Sequence, residues 1–430
     1  MGMYLGGQKI SPIIKVGEIN NQDKTITENG TYTADTGYTG LGEVTVNVSS
    51  GDSGGAYLVQ VLDYDGSVIK QDHLNAGDTF TLPNTPIHSG LVFQEWSSPV
   101  IITNNTVTIT NSDITIGAIY TTASGLSEFD ITLTTATGLS ITLKMDGTKN
   151  WGDGTTDTET THTYASTGDY TITCNGTTLT SSSSSGLFGQ STSYTRGYDG
   201  ARNNAPYLKR VRLANSISII PTHAFVGCFS LEYITIPKGV TSIGDTGTRT
   251  FASTSIPIAI LPSTITSICS RAFECCKLEN IIIPYGVVLS NDYIFNYATS
   301  LKKIYLYDAT DTGFSGLLSY CISLEKVTIP IVTTATDLGS YGNTFQNCLS
   351  LKYVYIPSSI TAIKQYDFIN CFSLIEYDFS DHTIVPTLQN TSNIFNGINK
   401  IAKIKVPESL EAEWKSATNW ATYADYIVGV

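Results

Sequence analysis

One apolar pattern recurs along the second half of the chain, from about residue 206 to residue 407. Each clear copy begins with an aromatic residue or Leu, and these residues are Phe225, Phe273, Phe295, Leu318, Phe345, Phe368 and Phe395, with a weaker copy at Phe251. Counting from that residue, apolar side chains recur at +3, +6, +9 and +11, and Pro often follows at +12. A repeat of 22 to 27 residues, whose apolar side no single copy can bury, predicts a solenoid of stacked coils.

Positions +9 and +11 fall on one face of a predicted strand, because successive side chains in a strand alternate between faces. The copy that begins at Phe345 therefore directs Val354 and Ile356 inward. The outward side chains form a ladder on the predicted concave face, and its candidate ligand-binding residues are Tyr233, Lys303, Tyr305, Lys326, Tyr353 and Tyr355. Tyr is common in recognition surfaces because its large ring orders at a low entropy cost, and such rings also stack on sugars. Alternatively, Tyr is only a residue that suits an exposed strand.

The core motif Phe-x-x-Cys-x-Ser-Leu is intact at residues 225–231, 345–351 and 368–374. On these residues, the segment 206–407 resembles the BspA-like leucine-rich repeats of bacterial surface proteins. The resemblance implies a solenoid that presents a long recognition surface. It also identifies residues 408–430 as a C-terminal cap, with a short amphipathic helix carrying Leu410 and Trp414 and then a last strand.

Three smaller units precede the repeats. Residues 1–50 open with YLGGQKISPIIKVG and resemble the N-terminal segments of tailed-bacteriophage structural proteins, particularly tail and fibre components, which implies a β segment for attachment. The Gly- and Ser-rich stretch 49–55 is typical of a flexible linker. Residues 51–122 resemble the internalin-type B repeat, a β-grasp-like module, with Asp65-Gly66 in a hairpin and Trp96 in the core.

A third unit, residues 123–180, carries Trp151-Gly152-Asp153-Gly154 and later HTYASTGDYTI. On these motifs it resembles the polycystic-kidney-disease-type β-sandwich. Because a calcium site needs more oxygen ligands than this loop offers, we expect Asp153 to stabilise its own turn. Residues 181–205 are low in aliphatic side chains and predict a linker that leads into the N-terminal cap of the solenoid. The predicted fold class is mainly β and multidomain, with small β modules followed by a leucine-rich-repeat solenoid.

Composition narrows the classes of function. Only 14% of the 430 residues are charged, and the formal net charge is −13. A negative chain without a basic patch argues against nucleic-acid binding. The lack of an 18-residue apolar stretch argues against membrane insertion. The first residues also lack the apolar core of a secretory signal, from which we expect export by another route.

Five of the eight cysteines stand at position +3 of a copy, namely Cys228, Cys276, Cys321, Cys348 and Cys371. A recurring place inside stacked coils predicts a small, buried, reduced thiol rather than a disulfide. Cys275-Cys276 has no CxxC partner and the five His are scattered, so the sequence predicts no metal site and no cofactor. The absence of catalytic fingerprints favours binding over catalysis.

Together these features predict a bacteriophage virion structural protein, a tail fibre or receptor-binding adhesin. Residues 1–50 would contact other virion proteins, and the solenoid would bind a glycan or protein of the host bacterial surface. One alternative is a cell-surface or secreted leucine-rich-repeat adhesin of a bacterium, located on the cell surface or outside the cell. Another is a capsid-decorating virion protein that binds glycans or mucus. A homo-oligomer is a further possibility, since phage fibres are often trimeric, although a leucine-rich solenoid does not itself impose threefold packing.

Overall fold

The structure is a computed structural model that describes residues 56–110, 112–134, 139–190, 207–306, 308–329, 335–389 and 393–430, together with Ala205 and four short strands among residues 1–50. The predicted fold class is confirmed. The described residues are mostly β, with small β units before a solenoid and two short α-helices, Asp311–Phe314 and Glu411–Ser416. Neither helix is long enough to cross a lipid bilayer.

The four strands near the N-terminus form two antiparallel pairs. Met3–Leu5 pairs with Gln8–Ile10, and Gly30–Tyr32 pairs with Val44–Val46. The attachment role of residues 1–50 stays a prediction.

Residues 56–122, which we call the β-module, contain two sheets. The four-stranded sheet has the order Val68–Leu74, Tyr57–Leu62, Ile114–Thr122 and Leu91–Ser97, and its two central strands are parallel. The three-stranded sheet consists of Thr79–Thr81, Thr106–Thr108 and Ile102–Thr103. Their facing side chains form a core of their own, against which Trp96 packs half-buried, as predicted. Gly66 adopts a φ of +88° in the predicted turn, a conformation that favours glycine.

Residues 123–190, the capping unit, share a sheet with the solenoid. The order of this six-stranded sheet is Thr156–Asp157, Lys149–Asn150, Gly168–Cys174, Ser127–Leu133, Leu208–Arg212 and Tyr233–Thr235, of which the last two belong to the repeats. A separate pair joins Ser140–Thr142 to Thr161–Thr163. Asp153 stabilises its turn by accepting a hydrogen bond from the Thr155 amide at 3.0 Å, as predicted. This continuous sheet gives the first coil a covered end.

Part of the segment predicted as a linker lies in the core. Leu187 and Phe188 are buried, and the Leu187 amide donates to the Ala224 carbonyl at 3.1 Å. Phe188 also lies 6.3 Å from Phe225, ring centre to ring centre. Residues 181–190 of the capping unit therefore cover the first coil from inside.

The solenoid, residues 207–406, stacks its coils through parallel strands. On one side of the coils, nine of the described strands follow one another: Leu208–Arg212, Tyr233–Thr235, Ile258–Ile260, Asn280–Ile282, Lys303–Tyr305, Lys326–Thr328, Tyr353–Tyr355, Glu376–Asp378 and Lys403–Val406. They are hydrogen-bonded in three groups, namely the first two, the next four and the last three. Their outward side chains form what we call the ladder face. Further strands, on another side of the coils, are Ile219–Ile220, Ser242–Thr248, Ser267–Ser270, Val288–Leu289, Asp308–Ala309, Ala362–Ile363 and Thr387–Leu388.

The first residues of the copies form an internal column of stacked rings, as the pattern predicts. Phe225, Phe251 and Phe273 follow one another at 5.3 Å between ring centres, and Phe273 lies 5.7 Å from Phe295. The buried side chain of Leu318 follows, and the stack continues through Phe345, Phe368 and Phe395 at 5.4 and 5.5 Å. The weaker copy at Phe251 is thus a full member of the column.

A C-terminal cap covers the last coil. It comprises the 3-10 helix Glu408–Leu410, the α-helix Glu411–Ser416, the 3-10 helix Trp420–Tyr426 and the strand Ile427–Gly429. Trp414 is fully buried, and the strand pairs in parallel with Lys403–Val406. The predicted helix and last strand are therefore confirmed.

Candidate ligand-binding cleft

The β-module lies on the ladder face of the solenoid. Leu62 and Ile119 of the β-module pack against Ile258, Ile260 and Ile282 in a small buried cluster of their own. The approach is close at Gly117, where an added Cβ would lie 2.6 Å from Ile282 and 2.7 Å from Ile260. A residue with a Cβ at this position would require the Ile260 and Ile282 side chains to shift, because real Cβ contacts are essentially never shorter than 3.0 Å.

Polar contacts surround this apolar cluster. The Ser97 hydroxyl donates to the Leu261 carbonyl at 2.6 Å. Glu95 accepts hydrogen bonds from the amide and the hydroxyl of Ser263, and its carboxylate lies 3.0 Å from the Lys238 ammonium. The β-module is therefore held on the sheet by both apolar burial and satisfied polar groups.

This docking engages several of the predicted ligand-binding residues. The Tyr233 ring meets the Tyr64 ring edge-on, with 5.2 Å between the ring centres, and its hydroxyl accepts from Arg212 at 3.2 Å. Burial raises the pKa of Tyr305, whose hydroxyl faces Thr110 and Ser112 of the β-module. Tyr233 and Tyr305 thus contact residues of the same chain, and their role in ligand binding stays a prediction.

The two predicted lysines share one carboxylate. Asp113 of the β-module lies 3.0 Å from the Lys303 ammonium and 3.3 Å from the Lys326 ammonium. Burial alone would raise the pKa of Asp113, but the hydrogen bonds from Lys303 and from the Leu58 amide, with the charge of Lys326, hold it below its usual range. Asp113 is therefore ionised at neutral pH and pairs with both lysines.

Beyond the docked region, the ladder face and the β-module enclose an open cleft of about 630 Å³. Its solenoid wall carries Tyr305, Lys326, Tyr353, Tyr355, Asp378 and Asp381, and its opposite wall carries Ile109, Thr110 and Ser112 of the β-module. Four of the six predicted ligand-binding residues therefore line one cavity, while Tyr233 and Lys303 lie outside it. A cleft of this volume falls in the range of small-ligand sites.

Two tyrosine–aspartate pairs shape the solenoid wall. The Tyr353 hydroxyl donates to Asp378 at 3.0 Å, and the Tyr355 hydroxyl donates to Asp381 at 2.8 Å. Burial, and then the neighbouring carboxylates, raise the pKa of both tyrosines, so that both hydroxyls stay protonated at neutral pH. Since Asp378 and Asp381 lie one coil further on, these bonds fix the two rings across the junction of adjacent coils.

The cleft offers aromatic faces, hydroxyl groups and two carboxylates, a combination suited to holding a polar ligand. The ligand-binding residues predicted from the sequence did not include Asp378 or Asp381, and they did not include the β-module wall. The available signal was Ile282. Its copy is one residue short between Cys276 and Leu278, so Ile282 points outward, where a solvated face would not favour isoleucine. Within the described ranges, no group of three or more His, Cys, Asp or Glu residues is placed to hold a metal ion.

Comparison with known proteins bears on the solenoid. The family model of the BspA type leucine rich repeat region, with six copies, matches residues 218–342 and 316–417. The predicted resemblance of the repeats is thereby confirmed, whereas this match does not extend to the units before residue 218. No curated protein matches the chain.

Three solved structures are similar to the chain. A leucine-rich repeat protein from Bacteroides ovatus is 22% identical, with a TM-score of 0.38, over 47% of this chain and 50% of that one. A leucine rich cell surface protein from Faecalibacterium prausnitzii is 20% identical, with a TM-score of 0.31, over 52% and 64%. The pneumococcal vaccine antigen PcpA is 15% identical, with a TM-score of 0.29, over 52% and 66%. The chain therefore spans between half and two thirds of each of these structures.

Proposed function

We propose that the protein is a bacterial adhesin, exposed on the cell surface or secreted, which binds a surface glycan or protein through the cleft between the β-module and the ladder face. The observation that carries this proposal is the pair Tyr353 and Tyr355, which remain accessible in the cleft while Tyr233 packs against the β-module. Large aromatic rings held in place by hydrogen bonds bind with little loss of side-chain entropy.

The type of repeat supports an external location. BspA-type repeats match residues 218–417, and the sequence resembles B-repeat and polycystic-kidney-disease-type modules, which serve as parts of surface proteins, in the units before them. We infer that the capping unit acts as a spacer and the β-module as a wall of the binding cleft. The protein then works by recognition, and its cleft needs no cofactor.

A second candidate rests on residues 1–50, which resemble the N-terminal segments of phage tail and fibre proteins. In that setting the same cleft would bind the host bacterium from a virion, on the tail or as a decoration of the capsid. Particles purified after deletion of residues 1–50 discriminate between the two candidates. Normal incorporation of the shortened protein would contradict attachment through this segment.

The main proposal is tested by the double variant Tyr353→Ala with Tyr355→Ala in a cell-binding assay. We expect binding to target cells to weaken by about tenfold or more, because two exposed ring contacts are lost. The melting temperature should fall by only about a few degrees, because the rings of Tyr353 and Tyr355 point away from the coil interior.

Tyr341→Ala is the matched control, since Tyr341 is 64% exposed and lies outside the cleft. It should bind cells like the unmodified protein. Undiminished binding by the double variant would exclude the cleft as the binding site.

A further inference from the structure

Around the cleft, lysines form ion pairs with carboxylates of the chain, whereas two aspartates form none with any residue that the structure describes. Lys326 is the one basic side chain among the described residues that line it, and this lysine pairs with Asp113 of the β-module. Lys303, one coil earlier, pairs with the same carboxylate. Lys405, the neighbour of Asp378 on the next strand, pairs with Glu376 at 2.7 Å. Lys303, Lys326 and Lys405 are thus already bound to carboxylates of the chain.

The two cleft carboxylates, in contrast, receive only uncharged donors. Asp378 accepts from the Tyr353 hydroxyl and from the Ser380 amide, and Asp381 accepts from the Tyr355 hydroxyl. Among the ion pairs between described residues, none involves Asp378 or Asp381. The cleft therefore carries two carboxylates that form no ion pair with a basic side chain of the described residues.

We propose that the cleft binds a saccharide that carries no acidic groups, and that Asp113 sets this selectivity by occupying Lys303 and Lys326. The inference rests on the proposed function of the cleft and adds the class of ligand. The tyrosine rings offer flat faces for the C–H surface of a sugar ring, and the carboxylates accept hydrogen bonds from its hydroxyl groups. A sugar with a carboxylate, sulfate or phosphate group would meet two like charges in a partly enclosed space.

The shape of the cleft favours a saccharide over a folded protein. A stable protein partner buries about 800 Å² on each side of a broad interface. The cleft is instead a cavity of about 630 Å³, closed on one side by Ile109, Thr110 and Ser112. An extended chain of a few sugars fits such a space. The tyrosine and aspartate side chains of adjacent coils would then contact successive sugar units.

The role of Asp113 is tested by the variant Asp113→Asn in the full chain. Asparagine has the same shape, and its side-chain oxygen retains the capacity to accept from the Leu58 amide, which lies 3.0 Å from Asp113. The variant frees Lys303 and Lys326, so we expect its affinity for acidic oligosaccharides to rise about tenfold. Its affinity for neutral oligosaccharides should stay within about twofold, since the tyrosines and cleft aspartates are untouched.

The probes are labelled neutral oligosaccharides and their uronic-acid-containing counterparts of equal length, titrated at low and at physiological salt. The unmodified protein should bind at least one neutral probe more tightly than its acidic counterpart. Asp378→Asn with Asp381→Asn is a second, independent variant. It should lose affinity for neutral probes and discriminate less against acidic ones.

Two results would overturn the inference. One is equal or tighter binding of acidic probes by the unmodified protein. The other is unchanged selectivity in both variants, each shown to be folded by its melting temperature. The proposed function fails separately, when the Tyr353 and Tyr355 double variant still binds cells. Cell binding that needs both tyrosines but persists after enzymatic removal of surface glycans would retain the function and reject a saccharide ligand.

Discussion

At the scale of single residues, the recurring cysteine both packs in the core and donates a hydrogen bond. The Cys276, Cys348 and Cys371 thiols donate to the carbonyl of the first residue of the preceding copy, at 2.8, 3.2 and 3.0 Å. That carbonyl is buried, and an unpaired buried carbonyl is costly. The sequence predicts the buried position, but the hydrogen bond depends on how adjacent coils stack, which periodicity alone does not fix.

Burial also makes these thiols unreactive. It raises the pKa of Cys276 and of Cys371 to about 12, so their thiolate fraction stays negligible well above neutral pH. We expect iodoacetamide at pH 8 to modify at most about one thiol per native chain, with the half-buried Cys275 reacting first, and all eight after denaturation. Mass spectrometry of the alkylated peptides measures this. Rapid modification of Cys348 or Cys371 in the native protein would contradict the packing.

For the cleft residues too, the sequence predicts the position of a side chain but not its hydrogen-bond partner. The strand period predicts that Tyr353 and Tyr355 point outward, and the structure places them so. Their bonds to Asp378 and Asp381 join residues 25 and 26 positions apart. The repeat length brings such residues onto adjacent coils, but the choice of a side-chain partner follows from local geometry that the pattern does not contain.

At the scale of elements, the ring column determines how one coil stabilises the next. Phe368 stacks on Phe345 and Phe395 and meets the edge of Tyr377 at 5.2 Å. A ring in the middle of the column therefore contributes to the packing of three coils. Its removal leaves a cavity that rigid neighbouring strands cannot close.

We expect Phe368→Ala to lower the free energy of unfolding by about 3–5 kcal/mol. Phe372→Ala in the same coil is the matched control, because Phe372 is 54% exposed, and it should cost less than about 1 kcal/mol. Urea denaturation followed by tryptophan fluorescence provides both values, since Trp414 and Trp420 report on the neighbouring cap. Equal losses for the two variants would contradict the column.

The sequence predicted the elements of the C-terminal cap but not the residues that cover the first coil. The C-terminal cap has a helical pattern with Trp414, and the structure agrees. At the other end, Leu187 and Phe188 are isolated apolar residues in a stretch rich in Ser and Gly, which is typical of a linker. They are buried because the open end of the first coil offers an apolar surface, and this tertiary contact outweighs local composition.

At the scale of the whole molecule, the docked β-module covers one part of the ladder face and leaves the rest accessible. Strands from Tyr233 to Lys326 meet the β-module, whereas the face beyond them is open. The docking was not predicted from sequence, because the contacting residues are far apart in the chain and a single sequence contains no record of their pairing. The outward-pointing Ile282 was present as a signal but is also compatible with an ordinary strand.

Ile260→Asp should release the β-module, because it buries an unpaired charge against Gly117 and Ile119. We expect a larger radius of gyration in small-angle X-ray scattering and faster amide exchange in the strand Ile114–Thr122. The main melting transition should shift by only about 3 °C or less, because Ile260 points away from the coil interior. Ile375→Asp, at a position 40% exposed, should leave the scattering unchanged. Identical scattering curves for both variants would contradict the docking.

The contacts between the β-module and the ladder face also limit where coils can be duplicated during evolution. A coil gained or lost between Tyr233 and Lys326 would shift Asp113 away from its lysines and the isoleucines away from Gly117. A coil gained between Asp381 and the C-terminal cap would disturb neither, since each end of the stack is covered by its own unit. Relatives that differ in length should therefore vary after the cleft and keep a constant number of coils before it.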